Sequence, residues 1–258
     1  VPFAQTIAPL LLGLPTTALD YCTFNGRKID FQAMNSSAIP SADARRFRQS
    51  LIVSVSFVAL LWLVYLGAAL FELDLIRFGI YPRRISGLVG IAAAPLIHGS
   101  FSHLFANSVP IIVLGTALLY GYPRSAALVL GWVYAGSGLG VWLTARDAYH
   151  IGASGLTFGM MSFVFIIGAI RWDRRAIALS MLVFFLYGSM LWGIFPIDPG
   201  ISFESHFYGA LIGAILAFLC RHRDPAPVEK RYSWEDEAET PADEEDENAA
   251  GNGSRRLH

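Results

Sequence analysis

Charge is what this chain has least of. Asp, Glu, Lys and Arg make up only 15% of its 258 residues, while 54% are hydrophobic. Soluble domains carry about 25% charged residues, so a water-soluble globular class is excluded. Cysteine is almost missing: Cys22 and Cys220 stand in separate regions. That excludes a disulfide framework and a cysteine-ligated zinc site, both of which need several cysteines at set spacings. No basic stripe is present, so nucleic acid is not an expected partner. The net charge of −1 conceals a segregation, because ten of the 20 acidic residues fall within residues 229–247. The remainder of the chain is mildly basic.

What the chain has instead is long apolar runs. A bilayer core of about 30 Å is crossed by about 20 residues of helix. Six stretches reach that length, roughly residues 50–71, 103–120, 125–145, 151–170, 176–195 and 201–220. Each is expected to be helical, because a backbone in lipid must satisfy its amides within its own segment. The fold class expected is all-α, a polytopic six-helix membrane bundle. Arg45, Arg46, Arg48, Arg124, Arg171, Arg174, Arg175, Arg221, Arg223, Lys230 and Arg231 fall in one alternate set of connections. By the positive-inside rule that set is cytoplasmic, with both termini inside. The first outer loop, residues 72–102, is semi-polar and too long for a turn, so it is expected to fold on the membrane surface.

Three regions follow: residues 1–48, an N-terminal cytoplasmic or partly non-native segment; 49–222, the membrane domain; and 223–258, a disordered acidic cytoplasmic tail. The tail contains Pro225, Pro227, Pro241 and the run Asp243-Glu244-Glu245-Asp246-Glu247, a composition that cannot bury enough apolar area to order itself. Residues 1–33 lack the basic lead-in of a signal peptide and are broken by Pro2, Pro9 and Pro15. They read as non-native or poorly ordered sequence ahead of a start at Met34, with a re-entrant or extra spanning segment as the alternative.

Two polar residues sit inside the apolar runs in a telling way: Gly152-Ala153-Ser154-Gly155 in the fourth, and His206-Phe207-Tyr208-Gly209 in the sixth. An ionisable residue in a membrane segment is by default a functional-site hypothesis. With both termini inside, the second, fourth and sixth spans all begin at the outer face. At 1.5 Å per residue, His103, Asn107, Ser154 and His206 then share one depth just below that face. Gly155 and Gly159, and Gly209 and Gly213, form small-x-x-x-small pairs that let helix backbones approach closely in lipid. A serine alone is usually a packing residue. A serine and a histidine brought together across such a contact can serve as a nucleophile and its base.

These residues belong to a longer ordered set. Gly79-Ile80-Tyr81-Pro82-Arg83 and Gly87-Leu88 are followed by His98-Gly99-Ser100 and His103-Leu104-Phe105-Ala106-Asn107. His150-Ile151-Gly152-Ala153-Ser154-Gly155 and Glu204-Ser205-His206-Phe207-Tyr208-Gly209 with Gly213 complete it. Across residues 78–220 the chain resembles the rhomboid intramembrane serine proteases. The resemblance implies a six-helix rhomboid-like bundle and a dyad of Ser154 and His206 without a third acid. It further implies oxyanion stabilisation by His103, Asn107 and the Ser154 amide. Gly152, Gly155, Gly159, Gly209 and Gly213 would support helix packing, and no metal or other cofactor is implied. Glu204 is expected to cap the sixth span. His98 and His150 are expected to be structural, and the aromatic run Phe184, Phe185, Tyr187 and Trp192 to face lipid or core, with a substrate-gate role as the alternative.

Two departures stand out. Phe158 occupies a position where some relatives stack a tyrosine on the catalytic histidine, so packing is kept without a hydroxyl. The outer loop lacks the Trp-Arg pair of some bacterial relatives and has Pro82-Arg83 instead. The expected function is endopeptidase cleavage of transmembrane segments of membrane-protein substrates near the outer face, in a bacterial inner membrane. The partners are those substrates and the lipid bilayer. The alternative is a non-catalytic rhomboid-like protein that binds transmembrane helices. A transporter fits less well, since the ionisable residues gather at one depth.

Overall fold

A computed structural model describes residues 42–197 and 200–224, together with the backbone of Tyr21–Phe24 and Arg27–Asp30. The start expected at Met34, most of residues 1–41 and the acidic tail beyond Asp224 lie outside the described residues. Strand β1 (Tyr21–Phe24) pairs antiparallel with β2 (Arg27–Asp30), Tyr21 opposite Asp30.

The membrane domain is helical. Its elements are α1 (Ala42–Leu70), the short α2 (Val89–Ala93), α3 (Phe101–Gly121), α4 (Ala126–Thr144), α5 (Ser154–Arg171), α6 (Arg174–Tyr187) and α7 (Phe203–Cys220). A 3₁₀ segment, Gly188–Ile194, continues α6. Six of these helices, α6 counted with its continuation, are long and apolar enough to cross a membrane. Helix α1 begins eight residues before the apolar run, because its first turns, with Asp43, Arg45, Arg46 and Arg48, are exposed and need no lipid to stay helical.

Helix α5 is the most enclosed span, and α1 and α6 are the least. Phe163, Val164 and Ile167 of α5 are fully buried against Leu118, Tyr122 and Val133. Leu63, Leu70, Phe185 and Leu219 point outward, as lipid-facing residues do. With no solvent between helices, association in a bilayer rests on close packing, and α5 and α7 take this furthest. A methyl group added at Gly209 would overlap the Gly155 carbonyl, and one at Gly213 the Gly159 carbonyl. The two small-x-x-x-small pairs therefore form a single seam, backbone against backbone.

The long loop between α1 and α3, expected at the outer face, folds into short helical turns, Ile76–Phe78, Ile85–Leu88, α2 and Ala94–Leu96. It is fastened to the bundle by several hydrogen bonds. Ile80 and His150 exchange backbone hydrogen bonds of 3.0 and 2.9 Å. Arg83 donates to the Ala145 carbonyl at 2.7 Å and pairs with Asp147, while its backbone N–H bonds the Trp142 carbonyl. At the opposite end of the bundle the Asp224 carboxylate accepts from the Arg124 amide at 2.8 Å and the Ser125 hydroxyl at 2.6 Å. Arg171 donates to the Asp224 carbonyl. One buried residue thus ties α4 and α5 to the end of α7.

Candidate active site

Ser154 is the first residue of α5, not one turn inside the helix as the apolar run implied. The cause is Gly152, whose φ of +107° lies outside helical space and suits glycine alone. Its amide bonds the Ala94 carbonyl at 2.8 Å, which pins the approach to the helix. Ser154 therefore stands at the positive end of α5, where the first backbone N–H groups have no acceptor within the helix.

His206 is the fourth residue of α7. The glycine seam brings it onto Ser154: His206 Nε2 lies 2.8 Å from Ser154 Oγ. Its ring stacks on Phe158 with centroids 4.1 Å apart and planes 7° from parallel. Its other nitrogen, Nδ1, lies 2.9 Å from the Gly193 carbonyl. The imidazole is thus held on three sides by α5 and the segment following α6.

Helix α3 supplies the next wall. The Ser100 hydroxyl caps it by accepting from the His103 amide at 3.1 Å, an N-cap role that serine favours. His103 projects to the bend before Ser154, where a methyl at Gly152 would sit 2.7 Å from its Cε1 and Nε2. Asn107, one turn further, is buried and donates one amide hydrogen to the His103 carbonyl at 2.9 Å. His103 and Asn107 thus share the α3 face beside the α5 N-terminus.

Two histidines have definite partners. His98 stacks edge-on against His103 at 5.0 Å and accepts from the Ala153 amide at 3.4 Å. Burial, reinforced by the neighbouring His103, pushes its pKa from 6.5 down to about 4. His150 is buried, with Nδ1 2.6 Å from the Ser202 hydroxyl and Nε2 3.1 Å from the Arg146 carbonyl. Glu204 does not cap α7. Its carboxylate faces the Arg146 amide at 3.4 Å and lies 3.8 Å from the Arg146 guanidinium and 4.0 Å from His150. It braces the α4–α5 connection against the start of α7. Of the α6 aromatics, Phe184, Phe185 and Trp192 are exposed and Tyr187 is buried.

Sequence reasoning missed the Gly193 carbonyl, which carries no side-chain signal. It also missed the Arg146–His150–Glu204 brace, whose members are 58 residues apart at the extremes.

The Rhomboid domain matches residues 86–223 of this chain. That is more than half of the sequence, and the chain belongs to this family. It is an integral, multi-pass membrane protein. An uncharacterized protein of Mycobacterium tuberculosis is 37% identical over 176 residues, covering 64% of this chain and 72% of its own. The Bacillus subtilis protein YdcA, provisionally named a rhomboid protease, is 30% identical over 147 residues, 53% of this chain and 67% of its own. RHOMBOID-like protein 5 of Arabidopsis thaliana is 28% identical over 134 residues, 48% of this chain and 41% of its own.

Proposed function

We propose that this chain is an intramembrane serine endopeptidase that hydrolyses peptide bonds in transmembrane segments of other membrane proteins. Ser154 attacks the scissile carbonyl while His206 takes its proton, then delivers that proton to the leaving amine. Water hydrolyses the acyl-enzyme by the same route in reverse order. The Ser154 amide, His103 and the second amide hydrogen of Asn107 stabilise the tetrahedral oxyanion. Donors fixed where negative charge develops are each worth about 3–4 kcal/mol in such a site. Phe158 packs against the imidazole to hold its plane.

The observation that carries this reading is the 2.8 Å contact between Ser154 Oγ and His206 Nε2, within the range of about 2.6–3.2 Å that a nucleophile and its base require. Membership of the rhomboid family gives it a reaction class. The protease domain comprises residues 49–222, flanked by cytoplasmic segments 1–48 and 223–258. The dyad lies toward the outer face of a bacterial inner membrane. Substrates present a helix that unwinds near that face, because a hydrogen-bonded helix shields its carbonyls, with a small residue before the cut.

The test is labelling of the detergent-solubilised protein with a fluorophosphonate. Wild type is expected to label, and Ser154→Ala is not. Cleavage of a model transmembrane substrate is expected to disappear in His206→Ala. A folded wild-type protein that neither labels nor cleaves would overturn the enzyme reading in favour of a helix-binding relative.

A further inference from the structure

We infer that the Gly193 backbone carbonyl is the positioning group of the His206 base, taking the place that a carboxylate fills in a three-membered triad. The inference rests on the dyad reading above and adds the device that sets its protonation geometry. A carbonyl oxygen can only accept a hydrogen bond. At 2.9 Å from Gly193, His206 Nδ1 must therefore carry the ring hydrogen. That leaves Nε2 with its lone pair directed at Ser154 Oγ, 2.8 Å away, which is the tautomer a general base needs. During acylation the hydroxyl proton moves to Nε2 and then to the leaving amine nitrogen, while the Nδ1 hydrogen stays on the Gly193 carbonyl. No net proton is gained or lost at Nδ1.

The carbonyl is free for this task because of where it lies. Gly193 is the next-to-last residue of the 3₁₀ segment Gly188–Ile194, and the last carbonyls of a helix lack intrahelical donors. The position also admits little beyond hydrogen: a methyl there would lie 2.9 Å from Phe158 Cζ and 3.2 Å from His206 Nδ1. Gly193, Phe158 and His206 therefore interlock. None of the segment's residues is buried, and seven residues is long for 3₁₀ structure, which rarely exceeds three or four and often marks a hinge. The base, carried by α7, is oriented by the least enclosed part of the α6 span, so displacement of residues 188–194 releases the imidazole to its other tautomer. In serine hydrolases the wrong tautomer costs up to about 10⁴ in kcat.

The experiment is ¹⁵N NMR of histidine-labelled full-length protein in detergent, read beside steady-state cleavage of a transmembrane substrate. Wild-type His206 is expected in the neutral Nδ1–H form. Gly193→Ala is expected to populate the Nε2–H form and to lower kcat at least about tenfold with KM changed less than about twofold. Gly188→Ala is the control: a methyl there meets nothing closer than Phe184 Cδ2 at 3.6 Å, and tautomer and rate should match wild type. An Nε2–H tautomer in wild type, or a Gly193→Ala variant with unchanged tautomer and kcat, overturns the inference. Should Gly193→Ala not fold, the wild-type spectrum alone decides. Failure of Ser154 to react with fluorophosphonate would instead remove the hydrolase reading, and the tautomer measurement would stand apart from it.

Discussion

His98 shows how much a single side chain contributes away from the reacting atoms. It accepts from the amide just before Ser154 and packs against His103, and it can accept only while that nitrogen is unprotonated. Its pKa of about 4 in the folded protein lies below the ordinary 6.5, so the unfolded chain takes up the proton first as pH falls. Stability from this residue is complete above about pH 6.5 and is lost progressively toward pH 4. Thermal melts in detergent across that window should therefore show a falling midpoint. His98→Gln, which keeps an acceptor but does not titrate, should flatten the dependence between pH 4 and 6.5. At this scale the sequence was legible where chemistry resides in side chains. Ser154, His206, His103 and Asn107 stand out by type and depth, and the structure brings Ser154 and His206 within 2.8 Å; their roles are those proposed above. Gly193 does not stand out, since a main-chain carbonyl is the same at every position and only the fold selects one.

Among the elements, the seam between α5 and α7 decides whether the site exists. Gly209 and Gly213 meet opposing main-chain carbonyls, which cannot rotate away as side-chain tips can. Overpacking alone costs about 1–3 kcal/mol, so Gly209→Val should exceed that range and lower the melting temperature sharply. Ser154→Ala should leave it near wild type. Equal melting of Gly209→Val and wild type would mean that the helices are not in backbone contact. The glycine spacing announced this contact in advance because 3.6-residue periodicity places i and i+4 on one face. Helix starts were harder to read. Hydropathy cannot see that Gly152 adopts a positive φ, so it ran α5 back through a bend. Nor does it register helix extending into water, as at the charged beginning of α1. Glu204 was misread for a related reason: proximity in sequence pointed to its own helix, whereas its partners arrive from Arg146 and His150.

For the molecule as a whole, the orientation proposed from the placement of the arginines has a direct test. In a Cys22→Ser, Cys220→Ser background, Ile85→Cys in the outer loop should react with a membrane-impermeant maleimide in intact spheroplasts. Trp172→Cys, between α5 and α6, should react only after lysis. Both side chains lie on the protein surface, at 85% and 79% exposed, in connections between spans. The reverse pattern would invert the topology. The six-span architecture was legible because lipid demands a nearly uniform length and composition from every crossing. The tertiary fastening by Arg83 and Asp224 was not, since each joins segments distant in the chain. The glycine seam has one further consequence. Because the same contact that closes the bundle also delivers the histidine to the serine, under the proposed function assembly and catalytic readiness arrive together. On that reading, cutting ability can be lost while the scaffold survives, through exchange of a side chain or two at the site, Ser154 or His206 first among them. A descendant that merely grips helices is a very short mutational walk away.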